Sequence, residues 1–450
     1  MKKAIISLLL ISMLTISFPT QAFAVQKAAA STVETTAYAN IDWWKDINDE
    51  ILLDYIIKAI QCNQDLKLAN LKVGESTELK NLKRANEMPI IGTGVVPALY
   101  KLPTQTSSDG FISVPLYASY EADLFGKNRD KTKSMDKSIE IAQQNERAAN
   151  ISVTSAVGTT YYNIVKLDKI IEIQQQIIND RQQIYALMKL SNEEGLISTA
   201  DTVSANKAFI KANSDLIEQK KAREQLLNTL CVLIGESPEN SANLRRIAFD
   251  DAKINKQIPD YINSEIIEQR PDYIAAEKSI EKSGLDVRAA KKEFLPSFNI
   301  LGLISFNSSN YLSKMNWTNS LAVLGAGALL PLFTGGSRIA NLKLNKNKYE
   351  QAIENYKKVN LTAIQEVNDS LCTLKLDEEK YLKTLESYQA EKEDFSYTNM
   401  KFNEGLISRL DLLQKRETLL STEKLLTSDQ TNRFINQIGL YKAVAGAKIQ

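Results

Sequence analysis

The sequence EGLIS occupies residues 194–198 and occurs a second time at residues 404–408. In each copy the serine is followed three residues later by an aspartate, Asp201 or Asp411. Both copies lie between long polar stretches with helical periodicity. One chain therefore contains the same short turn twice, 210 residues apart.

Glycine and serine explain what this turn does locally. Glycine tolerates positive φ and commonly follows the last turn of a helix, while serine is a preferred N-cap. Gly195 and Gly405 are therefore predicted to end one helix, and Ser198 (or Thr199) and Ser408 to begin the next. Because the turns are tight, the flanking helices should be antiparallel.

An apolar pair follows each glycine and has two interpretations. The side chains either seal the end of the hairpin beside the glycine cap, or dock on a partner from an exposed tip. The residues concerned are Leu196, Ile197, Leu406 and Ile407.

Other landmarks recur at nearly the same interval. The pairs Asp65/Asp272 and Pro89/Pro296 are each 207 residues apart. The motif Leu-Phe-Gly at 124–126 recurs 208 residues later with one inserted threonine. Landmarks that keep their order and spacing predict two tandem halves.

Each half reads as helix, strand, polar loop, returning strand, very long helix, tip and shorter helix. The first half is predicted at about 49–86, 89–100, 101–109, 111–124, 131–192 and 199–233. The second is predicted at about 260–293, 296–306, 307–319, 320–333, 338–403 and 409–444.

The strand predictions rest on alternation. Apolar residues on one face of the third strand alternate with serine and asparagine on the other, with Leu301 and Leu303 as exceptions. A soluble hairpin would show the same alternation. Strand length favours a membrane, since about 9–11 residues cross a bilayer at a tilt. Four strands cannot close a barrel, so chains should associate, although this reasoning does not fix their number.

The long helices show coiled-coil spacing. One seam repeats every seven residues and a second runs beside it, which suits a helix packed on both sides in a closed tube. A helix of about 60 residues is ~90 Å long, enough to cross a wide aqueous space. The first seam is Val157, Ile164, Ile171, Ile178 and Tyr185, and the second is Ile170, Ile177 and Ile184.

The N-terminus has the pattern of a secretory signal. Lys2 and Lys3 precede an apolar run at 4–18, and Ala22-Phe23-Ala24 fits a cleavage site, which predicts a cut after Ala24. The longest later apolar run is glycine-rich and contains a proline, so any membrane insertion should use strands. Three cysteines cannot all pair within one chain, and their surroundings predict small buried apolar residues.

Composition excludes several classes of function. After cleavage the chain has 53 basic and 54 acidic residues, a balance that gives no sign of nucleic-acid binding. The chain contains no histidine, which removes the commonest general base and zinc ligand. The sequence shows no clustered carboxylates and no glycine-rich phosphate loop. We therefore expect no catalytic residue, no metal site and no cofactor.

Several motifs now carry a family resemblance. They are DWW at 42–44, NQDL at 63–66, YEADLFG at 120–126, RPDYIAAE at 270–277, FLPS at 294–297 and LPLFTGG at 330–336. In this order they resemble the outer-membrane efflux protein (TolC-like) family, in its multidrug-efflux branch. The resemblance covers essentially the whole mature chain.

The resemblance implies an α+β membrane protein that works as a homotrimer. Each chain would give two β-hairpins to a 12-stranded outer-membrane barrel, continued by a coiled-coil tunnel in the periplasm. The function implied is a passive exit duct for small molecules, with a periplasmic adaptor and an inner-membrane pump as partners besides outer-membrane lipid. The expected division is a signal peptide (1–24), a first repeat (25–234), an equatorial linker (235–259) and a second repeat (260–450).

The resemblance also assigns roles to site residues. The tips Gly195, Leu196, Ile197, Ser198, Gly405, Leu406, Ile407 and Ser408 match adaptor-docking turns. Asp411 matches a position that in relatives puts acidic side chains around the closed periplasmic entrance, and Asp201 is expected at the same gate. Both could instead be ordinary first-turn acids. The chain departs from relatives in lacking a lipidated cysteine, in Gln414 where a second acid can occur, and in Phe402 where some have tyrosine.

Two other classes remain open at this point. A periplasmic adaptor also has an exposed hairpin tip, but it would have one hairpin flanked by split β-domains. An exported coiled-coil scaffold would leave the strands unexplained. The sequence does not identify the exported substrate.

Overall fold

The computed structural model describes residues 40–100, 109–252, 262–263, 265–308, 318 and 320–446. The predicted signal peptide and its cleavage site lie outside these residues. So do most of the predicted loops at 101–109 and 307–319, and part of the predicted linker at 235–259.

The described residues follow the predicted order of elements in both halves. The helices are α1 (Ile41–Lys45), α2 (Glu50–Cys62), α3 (Gln64–Arg84), α4 (Lys127–Glu193), α5 (Thr199–Leu233), α6 (Glu265–Glu268), α7 (Pro271–Lys292), α8 (Ser337–Asn403) and α9 (Arg409–Ala443). The strands are β1 (Ile90–Thr93), β2 (Val96–Tyr100), β3 (Asp109–Ala122), β4 (Ser297–Asn307) and β5 (Leu321–Leu329).

The first helix of each half differs from prediction because it is interrupted. In the first half Asn63 adopts an extended conformation between α2 and α3, and its side chain caps α3 by accepting from the Leu66 N–H. In the second half Pro271 begins α7, where its missing N–H costs nothing. The predictions of single helices at 49–86 and 260–293 are therefore wrong.

The strands form one antiparallel sheet in the order β1/β2, β3, β4, β5. The predicted strand at 89–100 is split because Gly94 lies opposite Pro115 of β3. The Gly94 N–H donates to the Pro115 carbonyl at 3.3 Å, but proline has no N–H to return the bond.

The strand register sorts the two faces of the sheet. Rows such as Ala122, Phe298 and Ala328, or Leu116, Ile304 and Ala322, are apolar across the strands. The opposite face holds a polar cluster in which the hydroxyls of Ser113 and Ser305 lie 2.6 Å apart and Ser305 donates to Asn307. The predicted alternation is therefore confirmed.

Helix α4 lies at the centre of the helical part. It packs on α3 and α7 near the sheet and on α5 and α9 towards the tips, while α8 packs on α7 and α9. Helices α4 and α8 each contain 67 residues, about 100 Å at 1.5 Å per residue. The predicted seams are buried, apart from half-buried Ile178 and Tyr185.

The main apolar core lies midway along the helices. Trp44 of α1 is 1% exposed and packs on Ile438 and Tyr441 of α9. A Cβ at Gly158 of α4 would lie 2.8 Å from the Trp44 ring, so glycine makes room for the indole. The N-terminal segment thereby ties α4 to α9.

Two further sequence predictions are settled by the described residues. Cys231 is buried as predicted, but Cys62 is half-buried and Cys372 is exposed on α8, so the prediction for Cys372 is wrong. Within the described residues no helix combines the length and apolarity needed to cross a membrane.

Candidate functional site: the two helix tips and the seam behind them

The two tips have the same backbone geometry. Gly195 and Gly405 adopt φ of 73° and 75°. The N–H after each glycine donates to a carbonyl five residues back, Leu196 to Ser191 at 2.8 Å and Leu406 to Lys401 at 2.9 Å. Each helix therefore ends in a Schellman motif, as the glycine predicted.

Each following helix begins with a capping box. The Asp201 and Asp411 N–H groups donate to the hydroxyls of Ser198 and Ser408, at 3.2 and 3.1 Å. Each aspartate in turn accepts, through Oδ2, from the N–H and the hydroxyl of its serine. The prediction that these serines are N-caps is confirmed.

The capping boxes bear on the two acids proposed for the entrance. Bonds donated by the Ser408 hydroxyl and backbone lower the pKa of Asp411, which is fully exposed in the single chain. These bonds engage Oδ2 of each acid, and both residues are exposed in the single chain. The first-turn role is therefore observed for both acids, and a gate role stays a prediction.

The apolar pair at each tip is divided between the two interpretations. Ile197 and Ile407 are half-buried against the hairpin end, where the Asn192 amide donates to the Ile197 carbonyl at 3.0 Å. Leu196 and Leu406 are 76% and 67% exposed. The isoleucines are therefore partly covered, as sealing would require, while the leucines are exposed, as docking would require, and both roles stay predictions.

Phe402 is engaged by a cation instead of a hydrogen bond. The Arg409 guanidinium lies 5.6 Å from the Phe402 ring centroid and donates to Gln183 of α4 at 2.9 Å. Gln414, the position where a second acid can occur in relatives, is exposed.

A polar seam between α4 and α9 was not predicted from the sequence. Arg181 pairs with Glu417, Lys424 donates to Gln174 at 2.8 Å, and Lys169 lies 3.8 Å from Glu423. Within the seam, Arg416 lies 3.4 Å from buried Asp180. These partners are more than 230 residues apart, and no local pattern in the sequence links them.

Arg270, which belongs to the RPDYIAAE motif, is a second residue whose structural role was not predicted from the sequence. It is 6% exposed and donates to the Ala443 carbonyl of α9, to Glu366 of α8 and to Asp272. Attraction to both carboxylates outweighs burial and raises the pKa of the guanidinium. Arg270 therefore joins α7, α8 and α9 at one point.

Comparison with known proteins identifies the family. The family described as "Outer membrane efflux protein" matches residues 56–236 and 262–446. The probable efflux pump outer membrane protein TtgC of Pseudomonas putida is 24% identical over 417 residues, covering 91% of this chain and 86% of TtgC. The cation efflux system protein CusC of Escherichia coli is 25% identical over 411 residues, covering 91% and 89%.

Solved structures share the fold. The CmeC outer membrane channel of Campylobacter jejuni has a TM-score of 0.83 at 23% identity, covering 91% of this chain and 89% of CmeC. The outer membrane protein VceC of Vibrio cholerae has a TM-score of 0.79 at 20% identity, covering 91% and 99%.

The family match spans most of the chain and both of its halves. It confirms the predictions of an outer-membrane location and a role in efflux, and it decides against an adaptor or an exported scaffold. The chain belongs to the outer membrane efflux protein family.

Proposed function

We propose that this protein is the passive outer-membrane exit duct of a tripartite efflux system. Three copies would surround one pathway, to which a periplasmic adaptor and an inner-membrane pump deliver small molecules. The proposal includes no catalytic step. The observation that carries it is a sheet at one end of ~100 Å helices and two matching exposed tips at the other.

The sheet supports assembly because, in the described part of the chain, its edge strands are paired on one side only. In the described part of the chain β5 pairs with β4 alone, and β1 and β2 pair with β3 alone. Unpaired backbone groups are costly in lipid, so edges from neighbouring copies should join. Twelve strands from three chains would close the ring.

The helices at the edge of the protomer support the same assembly. Val203, Ile210 and Ile217 of α5 recur every seven residues and are 47%, 59% and 67% exposed. On α8, Leu361 and Leu376 are 69% and 58% exposed. Apolar seams of this spacing pack on other helices, and a second copy of the chain supplies them.

The assembly can be tested by mass. Protein extracted from the outer membrane in detergent should have the mass of three chains. Ile217→Glu should shift it towards single chains, because the charge would enter an apolar seam. Lys211→Glu is the control, since Lys211 is exposed on the same helix. A soluble periplasmic monomer in the wild type would reject the proposal.

We propose that both tips bind the adaptor through the projecting leucines. Leu196→Asp and Leu406→Asp should reduce crosslinking to the adaptor and reduce efflux, while the three-chain mass is kept. Glu194→Gln and Glu404→Gln, at exposed positions of the same turns, are matched controls. Undiminished crosslinking would leave the leucines without a docking role.

We propose that Asp411 and Asp201 line the periplasmic entrance. Three copies of an acid in a confined aqueous space repel, and a cation relieves the repulsion. Added divalent cation should therefore reduce current through the wild type, weakly because Gln414 is uncharged, and Asp411→Asn should abolish the effect. An equal response in both proteins would leave Asp411 as a capping acid only.

The proposed division of the chain follows the repeat. We propose a signal peptide (1–24), a first repeat (25–234), a linker (235–259) and a second repeat (260–450). Each repeat contributes one hairpin of strands and one hairpin of helices. Mass spectrometry of the purified N-terminus would test the cut after Ala24.

A further inference from the structure

Asp180 is a buried acid that the duct function does not use. It lies on α4 against α9 and is 1% exposed. Neither carboxylate oxygen accepts a hydrogen bond from any residue that the structure describes. A buried carboxylate without donors is costly when charged, so its protonation affects the stability of the packing around it.

The charges that act on Asp180 come from α9. Arg416 approaches Oδ1 to 3.4 Å, outside hydrogen-bond geometry, and Arg409 attracts it from further away. Glu417 repels it but is itself paired with Arg181, the neighbour of Asp180 on α4. The side chain of Arg416 is 41% exposed, so solvent weakens its attraction.

Helix α5, which also packs on α4, contributes little positive charge near Asp180. It contributes apolar groups to the packing near the tips, including Phe209, which stacks on Tyr185, and Ala212. Its charged residues closest to this level, Lys207 and Lys211, are exposed. Burial is accordingly the largest influence on Asp180, and it raises the pKa of the carboxyl despite the two arginines.

We propose that Asp180 makes the contact between the two helical hairpins sensitive to pH, closer when Asp180 carries a proton and looser when it is charged. The sign follows from linkage. If α9 moves away from α4, Asp180 meets water and ionises like an ordinary aspartate. The packed arrangement binds the proton more tightly, so acid favours packing and rising pH favours separation.

Hydrogen exchange of the full-length protein in detergent tests this proposal. The measured quantity is the protection factor of α9 amides at 412–421, which corrects for the pH dependence of intrinsic exchange. Wild-type protection should fall by about twofold or more between pH 4.5 and pH 7.5, because the packed arrangement loses the proton that it binds more tightly.

Asp180→Asn is the decisive variant because it is permanently neutral at nearly the same size. It should keep high protection at both pH values. Glu218→Gln, which neutralises an exposed acid of α5, should keep the wild-type pH dependence. Arg416→Gln should enlarge the dependence, because it removes the nearest positive charge, and it tests the proposal even if Asp180→Asn fails to fold.

Three results would overturn the proposal. They are equal wild-type protection at both pH values, the wild-type loss persisting in Asp180→Asn, and an unchanged or smaller dependence in Arg416→Gln. The proposal concerns contacts within one chain. It therefore stands or falls separately from the duct function, which a measurement of mass or conductance decides.

Discussion

The two helical hairpins share one turn but not one kind of packing. Ile173, Ile177 and Ile184 of α4 are buried, at 0%, 7% and 4% exposure. At the offset of 210 residues that separates the tips, α8 has Lys383, Ser387 and Asp394. Local sequence therefore repeats the turn, while the position of each helix in the protomer determines what packs behind it.

The α8–α9 hairpin combines an apolar cluster near the far end of α9, which includes Val367, Leu374 and Leu440, with ionic contacts nearer the tip. Arg433 bonds Glu378 at 2.5 and 2.8 Å, and Asp429 accepts from Lys380 at 2.6 Å and from Thr384 at 2.8 Å. Helix α4 is central and has neighbours on both sides, whereas α8 lies at the edge of the protomer. Towards the tip α8 therefore contacts α9 through polar groups, while exposed apolar side chains such as Leu361 and Leu376 are available to another copy.

The largest expected loss of stability comes from substituting a buried apolar residue of α4. Ile177→Ala should lower the free energy of unfolding by about 2–5 kcal/mol, because it leaves a cavity among buried side chains. Ser387→Ala, the equivalent position in α8, is exposed and should change it by no more than about 0.5 kcal/mol. Thermal unfolding followed by circular dichroism measures both, and equal losses would show that the hairpins are packed alike.

The caps should give an intermediate effect that is equal in the two halves. Ser198→Ala and Ser408→Ala each remove a hydroxyl from a capping box of the same geometry, so each should cost about 1 kcal/mol. Hydrogen exchange in the first turns of α5 and α9 measures the loss. A clear difference between the two tips would mean that one turn has contacts beyond its own cap.

Removing an ion pair from the α8–α9 hairpin should give the smallest loss of stability. It should also be the only loss that depends on salt concentration. Arg433→Met should destabilise by about 0.2–1 kcal/mol at low ionic strength, since the pair is partly exposed. The difference from wild type should shrink in about 1 M salt, where the Debye length is ~3 Å. The loss in Ile177→Ala should not shrink, and if it did the contrast between the hairpins would be wrong.

The capping acid of the second tip should also respond to acidification. The pKa of Asp411 is lowered by bonds from Ser408, so its charge and its cap should persist below pH 3.8, the usual value, and be lost as the pH falls through the lowered one. Ser408→Ala should move this titration upward. NMR of the Asp411 carboxyl would measure it, and an unchanged titration would show that Ser408 is not the cause.

Local features could be predicted from the sequence because their causes are local. The glycine turns, the serine caps and the alternating strands each depend on residues within a few positions. The interruption at Asn63 has a local cap that the sequence analysis missed, and it is also held by a distant contact, from the Asn63 amide to the Leu233 carbonyl. The break opposite Pro115 depends on a strand across the sheet. The contacts of Arg270 and Asp180 join residues far apart in the chain, so the fold had to be known first.

The central claim is that the chain forms a duct, and a planar lipid bilayer tests it most directly. Purified protein whose mass in detergent is that of three chains should insert and give discrete, reproducible steps of ionic current without any energy source. Protein of that mass that inserts but carries no current, or protein that remains a soluble single chain, would contradict the account.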